Sequence, residues 1–331
     1  MHLRVFVTRR LPQPALDLIT GRYVMTVNPH DRMISRDELL DGVRTHDALL
    51  CLLTDTIDAE VMDANPDLRV ISNYAVGFNN VDVTAATERG IPVCNTPGVL
   101  NDTTADLAFT LLMAIARRLA EADRFARSGR FDGWGPMMLL GQDIHGATLG
   151  IVGAGRIGHA TALRGHRGFN MNILYNDVVA NEELERETGA KRVDLDDLLR
   201  ESDFVSIHVP LMESTRHLID HDKIRLMKAS ACLINTSRGP VVNEADLARA
   251  LKDGSIFGAA LDVFEEEPKI HPDLFGQDNV IIVPHIASAS IQTRTKMATM
   301  AAENLIAIIE GTEPHSIVNP EVLGGRGSAK A

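Results

Sequence analysis

The feature that most restricts this chain lies near its middle: Thr148-Leu149-Gly150-Ile151-Val152-Gly153-Ala154-Gly155-Arg156-Ile157-Gly158. An apolar run ends in glycines spaced G-x-G-x-x-G, and a helical pattern follows. That succession reads as a strand, a tight turn and a helix, and each glycine has its own reason. The first turns the chain, the second lets backbone lie against a pyrophosphate, and the third lets the helix pack on the strand. The N–H groups at the helix start then face the anion. A carboxylate, Asp177, follows at a fitting distance at the end of Ile173-Leu174-Tyr175-Asn176-Asp177. There it would bind the ribose hydroxyls of an adenine dinucleotide and repel a further phosphate, which favours NAD(H) while leaving NADP(H) open.

The loop sits within a longer rhythm. Short apolar runs at residues 3–8, 48–53, 68–72 and 92–95 alternate with helical patterns near 12–20, 36–43 and 81–89. A second series of apolar runs follows at 148–152, 172–175, 204–208, 232–235, 258–263 and 280–283. Strand–helix alternation means βαβ units, so the fold class is α/β with two doubly wound parallel sheets. At 331 residues two domains are expected. Between the series, residues 102–128 read as one long helix, capped by Asp102 or Thr103 and followed by Gly129. Its first half is apolar nearly all round, which suits a connection between domains that also lies in a subunit interface. A further helix spans 291–310; if it returns to the first domain, that domain is discontinuous. The expected division is 1–99 with 289–331, against 100–288. The Gly-rich end, 324–331, reads as a loose tail.

Aromatic residues are 4% of the chain, so the core must be aliphatic, as buried parallel strands require. A net charge of −12 argues against general affinity for nucleic acid or anionic membranes. An anionic substrate would then need a specific Arg or Lys. Cys51, Cys94 and Cys232 are far apart in apolar surroundings and read as reduced thiols of a cytoplasmic protein. The apolar stretch 107–116 is too short to span a bilayer, and the N-terminus shows no secretory pattern. His217 and His221 have metal-ligand spacing, but Asp220 reads as a helix cap between them, so no metal is expected. Arg117, Arg118, Arg124, Arg127 and Arg130 are interleaved with acids and read as a helix face.

In open α/β sheets ligands bind beyond the carboxyl ends of the strands. Three such ends carry chemistry: Arg238 after Cys232-Leu233-Ile234-Asn235-Thr236-Ser237, acids after Leu261-Asp262-Val263-Phe264, and His285 after Ile282-Val283-Pro284. Arg238 would bind a substrate carboxylate and polarise its carbonyl. His285 would exchange a proton with the carbonyl oxygen, and Glu267 would hydrogen-bond His285 and fix its orientation. Together they suit hydride transfer between NAD(H) and a small 2-keto or 2-hydroxy acid.

The segments G-A-G-R-I-G, N-T-S-R-G-P-V-V, L-D-V-F-E-E-E-P and P-H-I-A-S-A-S, in this order, resemble the D-isomer-specific 2-hydroxyacid dehydrogenase family. So do Asn73-Tyr74-Ala75-Val76-Gly77 and Asn95-Thr96-Pro97-Gly98, and within the family the chain looks most like the glyoxylate/hydroxypyruvate reductases. The resemblance implies a Rossmann NAD-binding domain and a flavodoxin-like substrate domain, with Arg238, Glu267 and His285 as catalytic residues. It implies that Val76 and Gly77 hold the substrate carboxylate beside Leu53. Thr104, Gly153, Gly155, Arg156, Ile157, Gly158, Asp177, Val209, Pro210, Thr236, Ser237 and Asp262 would line the dinucleotide, Asp262 meeting the nicotinamide amide. It further implies a homodimer in which Trp134, the only Trp, reaches the partner's site. Two positions depart from the common pattern: Ala287 and Asn170 stand where Gly is usual. The rival readings are a dehydrogenase of another acid, such as D-lactate or phosphoglycerate, and a dinucleotide-sensing corepressor-like binding protein.

Overall fold

The computed structural model describes residues 3–324. In chain order it begins β1 (Arg4–Val7), α1 (Gln13–Thr20), β2 (Val24–Val27), α2 (Arg36–Arg44), β3 (Ala48–Leu52), α3 (Ala59–Asp63), β4 (Ile71–Tyr74), α4 (Val83–Glu88) and β5 (Val93–Cys94). Two helices, α5 (Asn101–Ala116) and α6 (Leu119–Arg127), precede β6 (Thr148–Val152), α7 (Arg156–Phe169), β7 (Asn172–Asn176), α8 (Glu182–Thr188) and β8 (Lys191–Arg192). Then come α9 (Leu195–Glu201), β9 (Phe204–Ile207), α10 (His221–Ile224), β10 (Cys232–Asn235), α11 (Glu244–Lys252), β11 (Gly258–Leu261) and β12 (Val280–Ile282). The last helices are α12 (Ile291–Glu310) and α13 (Glu321–Gly324).

The chain divides into two compact units, one of residues up to Leu100 and from Ser290 on, the other Asn101–Ala289. In the first, a five-stranded sheet runs β2-β1-β3-β4-β5 with every pairing parallel. Its aliphatic core gathers Leu49, Ile71, Met62 and Val93 around Phe6. Gly42 is required there, because a Cβ would stand 2.2 Å from the Phe6 ring. Helix α12 packs on α1 and β4, and its start is capped by Ser290, which accepts the Thr293 N–H.

In the second unit a seven-stranded parallel sheet runs β12-β11-β10-β9-β6-β7-β8. The chain leaves β6 in one direction through β7 and β8, then returns to lay β9 along the other side of β6. The carboxyl ends of β6 and β9 therefore form the topological switch point, where such sheets bind ligands. Strands β9, β10 and β11 are buried along their whole length. Cys232 is completely buried in this unit, as Cys51 is in the first, and burial pushes the Cys232 thiol up to about 12.

Several local expectations are corrected. Residues 102–128 form two helices, α5 and α6, broken where Arg118 takes a left-handed backbone at φ 51°. The cause is tertiary. Gln142 donates its N–H to the Ala116 carbonyl at 2.8 Å, and the chain at Gly141 passes so close that a Cβ would lie 2.2 Å from that oxygen. The chain at Gly141 and Gln142 occupies the space beside that carbonyl where the next helical turn would run. Helix α5 also starts at Asn101, so Asp102 sits in the first turn, where a carboxylate suits the helix dipole. Strand β4 begins at Ile71, later than the apolar run suggests, because Leu68 N–H is taken by a turn to Asn65 O. The sequence reading omits β2, although three of its four residues are apolar, and β8, which is Lys191-Arg192. Asn170 explains its own departure: it ends α7 at φ 55°, a conformation Gly or Asn adopts. The tail beyond Gly324 lies outside the described residues.

Candidate active site and cofactor cradle

The glycine loop joins β6 to α7 at the switch point. Gly153 has φ 93°, and a Cβ there would stand 2.8 Å from the His208 carbonyl carbon at the end of β9. A Cβ on Gly158 would stand 2.0 Å from the Gly153 carbonyl oxygen. Gly155 differs: nothing lies within 4 Å of its would-be Cβ. So two glycines are required by protein contacts, while the middle one faces open space where a pyrophosphate would approach. Gly155 is also the N-cap of α7, and no side chain caps that helix start. Arg156 is exposed and Ile157 half-buried beside it. Across the switch point, Thr236 Oγ1 and His208 Nδ1 are enclosed side-chain atoms without hydrogen-bond partners among the described residues. The opening, the uncapped helix start and the enclosed hydroxyl fit a dinucleotide.

Asp177 ends the segment after β7, where the sequence places a ribose acceptor. Its Oδ2 accepts the Ala154 N–H at 2.7 Å, and its Oδ1 accepts the Val179 N–H at 3.2 Å. The Ala154 carbonyl is held in turn by Asn181 Nδ2 at 2.7 Å. Arg192 donates to the Asp177 and Val178 carbonyls, at 2.8 and 2.9 Å from Nη2. Asp177 thus braces the glycine loop.

After β10 the chain turns sharply. Asn235 Oδ1 accepts both the N–H and the hydroxyl of Ser237, at 3.0 and 2.8 Å, and Asn235 Nδ2 donates to the Arg238 carbonyl at 3.0 Å. The Ser237 hydroxyl therefore serves the turn. Arg238 is half-buried, with Nη1 on the Ser237 carbonyl at 2.7 Å. Burial lowers its pKa and the neighbouring Glu267 charge raises it; a guanidinium stays charged in any case.

His285 Nδ1 lies 2.8 Å from Glu267 Oε2, with side chains 27% and 31% exposed. The Nδ1 contact leaves Nε2 as the ring nitrogen available to a substrate. Burial pushes the Glu267 carboxyl up, but the His285 hydrogen bond and charge, the Phe264 N–H and the Arg238 charge together bring it below its ordinary value. His285 has φ 52°, an unusual backbone for a non-glycine residue. It is held by its own N–H on the Asp262 carbonyl at 2.9 Å. Asp262, completely buried, accepts the Ile286 and Ala287 N–H groups at 2.6 and 2.9 Å. Both Asp262 oxygens thus already hold the His285 loop, and Ala287 supplies one of those donors.

In the first unit, Leu53, Val76 and Gly77 are half-buried. Two buried amides hold the Val76–Gly77 backbone: Asn95 Nδ2 donates to Val76 O at 2.7 Å and Asn73 Nδ2 to Gly77 O at 3.0 Å. A trans peptide points its C=O and N–H in opposite directions. Fixing the Val76 carbonyl therefore aims the Gly77 N–H the other way. Trp134 is 82% exposed, and Thr104 and Thr236 are buried, while Val209 is half-buried and Pro210 exposed. Among the described residues no cluster of His, Cys, Asp and Glu could hold a metal ion, and Asp220 caps α10 with the Lys223 N–H.

The pattern described as D-isomer specific 2-hydroxyacid dehydrogenase, NAD binding domain, matches residues 109–287. The chain belongs to the D-isomer specific 2-hydroxyacid dehydrogenase family. It is 53% identical over 326 residues to a glyoxylate reductase of Korarchaeum cryptofilum, spanning 98% of both chains. To a glyoxylate reductase of Thermococcus onnurineus it is 48% identical over 330 residues, again spanning 98% of each. Among solved structures it resembles an NADPH-dependent glyoxylate/hydroxypyruvate reductase from Sinorhizobium meliloti in complex with NADP and malonate, with TM-score 0.83 and 32% identity over 96% of this chain and 97% of that one. It is an oxidoreductase of this family with an NAD(P)-binding domain.

Sequence reading missed the residues that brace the site of this 2-hydroxyacid dehydrogenase. Asn181 could have been noticed, since it caps α8 through the Leu184 N–H. Asn235 and Asn73 act on residues two to four positions on, Asn235 as an Asx turn over Ser237, whereas Asn95 and Arg192 leave no comparable local signature because their partners lie on other segments.

Proposed function

We propose that this dehydrogenase reduces glyoxylate or hydroxypyruvate to the 2-hydroxy acid, with NADH favoured over NADPH. The observation that carries this reading is the Glu267–His285 pair at 2.8 Å with the Arg238 charge beside it. A bound reduced nicotinamide supplies the hydride. The glycine loop, Asp177, Thr236, Val209 and Pro210 would hold it, with Asp262 near its carboxamide. Arg238 binds and polarises the keto acid, and the Val76 and Gly77 amides hold its carboxylate beside Leu53. His285 Nε2 delivers the proton to the carbonyl oxygen while Glu267 keeps the ring oriented. An Arg–carboxylate pair suits the geometry of a 2-keto acid because two parallel N–H···O bonds fix its plane.

Names of close relatives support the substrate class, and Asp177 supports NADH. The neighbour bound to NADP shows that members of this fold also take the phosphorylated cofactor. The active form we propose is a cytoplasmic homodimer in which Trp134 contributes to the partner's site. The exposed apolar side chains of Leu119, Phe131, Trp134 and Met137 support that association. Among the described residues no helix is long and apolar enough to cross a membrane.

The test is absorbance loss at the reduced-nicotinamide band with glyoxylate and hydroxypyruvate, using NADH and NADPH in parallel. Fast NADH oxidation with either acid is expected. Turnover only with D-lactate's or phosphoglycerate's keto acid would move the reading to another acid, since a methylene in a pocket is worth just ~1–3 kcal/mol. NADH binding without any turnover would favour the sensing protein.

A further inference from the structure

Among the described residues the mechanism leaves two buried carboxylates unused, Asp55 and Glu244. Glu244, the first residue of α11, is 5% exposed, although unpaired acids are rarely buried so deeply. Its Oε1 accepts the Glu265 N–H, and its Oε2 accepts the His271 N–H at 3.0 Å. Those two amides bracket residues 266–270, the stretch that carries Glu267. The arrangement is reciprocal, because the Glu244 N–H donates to Glu265 Oε1 at 2.8 Å. His217 Nε2 lies 3.2 Å from the same Glu265 oxygen.

The segment leading into α11 also carries Arg238. Immediately after it, Gly239 meets the Glu267 loop in backbone contact: a Cβ there would fall 1.8 Å from the Phe264 carbonyl carbon. The segments bearing Arg238 and Glu267 are thus pressed together at Gly239 and tied at Glu244. Burial raises the Glu244 pKa, and its two backbone hydrogen bonds lower it. A buried acid with both oxygens committed to one loop holds that loop's shape.

We propose that Glu244 is a positioning residue for the Glu267–His285 pair, acting by pinning the Glu265 and His271 amides at either end of the acid-bearing loop. This rests on the catalytic reading of Glu267 given above. Glu267 reaches His285 across a single hydrogen bond, so a shift of the loop by a fraction of an ångström disturbs the imidazole directly.

Full-length Glu244→Gln and Glu244→Leu are compared with the parent in glyoxylate reduction. Gln can accept only one of the two N–H groups and Leu neither. The expected result is a kcat lower by roughly 10- to 100-fold, since small misplacements of catalytic groups cost that much. The NADH dissociation constant, read by fluorescence, stays within about twofold, because the cradle is untouched. The primary isotope effect on kcat with deuterated NADH rises as hydride transfer becomes slower. A merely stabilising role would lower the melting temperature and leave kcat and the isotope effect of the folded protein unchanged, which overturns the proposal.

Should the Glu244 variants fail to fold, His271→Pro removes one pinned amide, and the native φ of −56° already suits proline; His271→Ala, which loses only the imidazole that accepts the Asp273 N–H, is its control. The kcat of His271→Pro should fall in the same way; an unchanged kcat overturns the proposal. Glu267→Gln separates the two levels. If it retains full turnover, the catalytic reading and the proposal both fall. If it is inactive while the Glu244 and His271 variants turn over normally, only the positioning role is lost.

Discussion

The Asp177 carboxylate accepts the Ala154 N–H at 2.7 Å, so the acid proposed to bind the ribose also braces the middle of the glycine loop. In the proposed reading, cofactor choice and loop shape are coupled through this one side chain. Replacing it should affect both, and the size of a charged hydrogen bond sets the scale.

For Asp177→Ala we expect the KM for NADH to rise by roughly 10-fold or more, as loss of a hydrogen bond to a charged group costs ~1.5–3 kcal/mol. The ratio of kcat/KM for NADH to that for NADPH should also narrow, because the repulsion of a 2′-phosphate is gone. An unchanged ratio would refute the discrimination while leaving the bracing role intact.

Arg238→Ala should lower kcat/KM for glyoxylate by about 10²–10³-fold, the range seen when a preorganised charge partner of the reacting group is removed. NADH affinity should hardly move. Arg238→Lys restores the charge without the planar fork and should recover only part of the loss. Equal damage to NADH binding and to turnover would mean that the side chain supports the fold instead.

Asn95→Ala frees the Val76 carbonyl and with it the orientation of the Gly77 N–H. The KM for glyoxylate should rise by about 10-fold, the cost of ~1.4 kcal/mol in binding, with the NADH dissociation constant unchanged. Steady-state kinetics at saturating NADH decide it. A variant with normal KM would remove these amides from carboxylate binding.

Burial depresses the His208 pKa from its ordinary 6.5 to about 3. The sign follows: below pH 6.5 the unfolded chain takes up a proton that the folded ring refuses until about pH 3, so stability falls as pH drops through that window. The limit is ~1.4 kcal/mol per pH unit. The loss should be smaller, since His208 as a residue is only half-buried even though Nδ1 is enclosed. Urea unfolding at pH 7.5 and 5.0 should show the parent losing about 1 kcal/mol more than His208→Asn between the two values. Parallel pH dependence in the two proteins would contradict it.

Much of the second unit is legible along the chain because its signals are local. A glycine turn, an N-cap Asp before α10 and a short strand such as Cys232–Asn235 each carry their cause within a few neighbours. The His and the acid that meet at 2.8 Å were legible as residue types placed after strands. Their distance was not, since residues 267 and 285 are joined by a loop, a turn and a strand whose path no pattern specifies. The long helix was misread for a related reason: nothing between 102 and 128 announces that Gly141 and Gln142 will take the Ala116 carbonyl.

The sequence by itself determined the alternation of strands and helices, the glycine turn and the inventory of an Arg, a Glu and a His beyond parallel strands. Those follow from backbone sterics, side-chain periodicity and chemistry, which act over a few residues. Only the tertiary structure decided that β9 returns beside β6, that Asp262 holds the His285 loop, and that Glu244 grips the Glu267 loop. A buried carboxylate must be paired, but its partner is whichever backbone N–H the fold leaves unmatched beside it. That choice is made in space, between segments the linear order keeps apart.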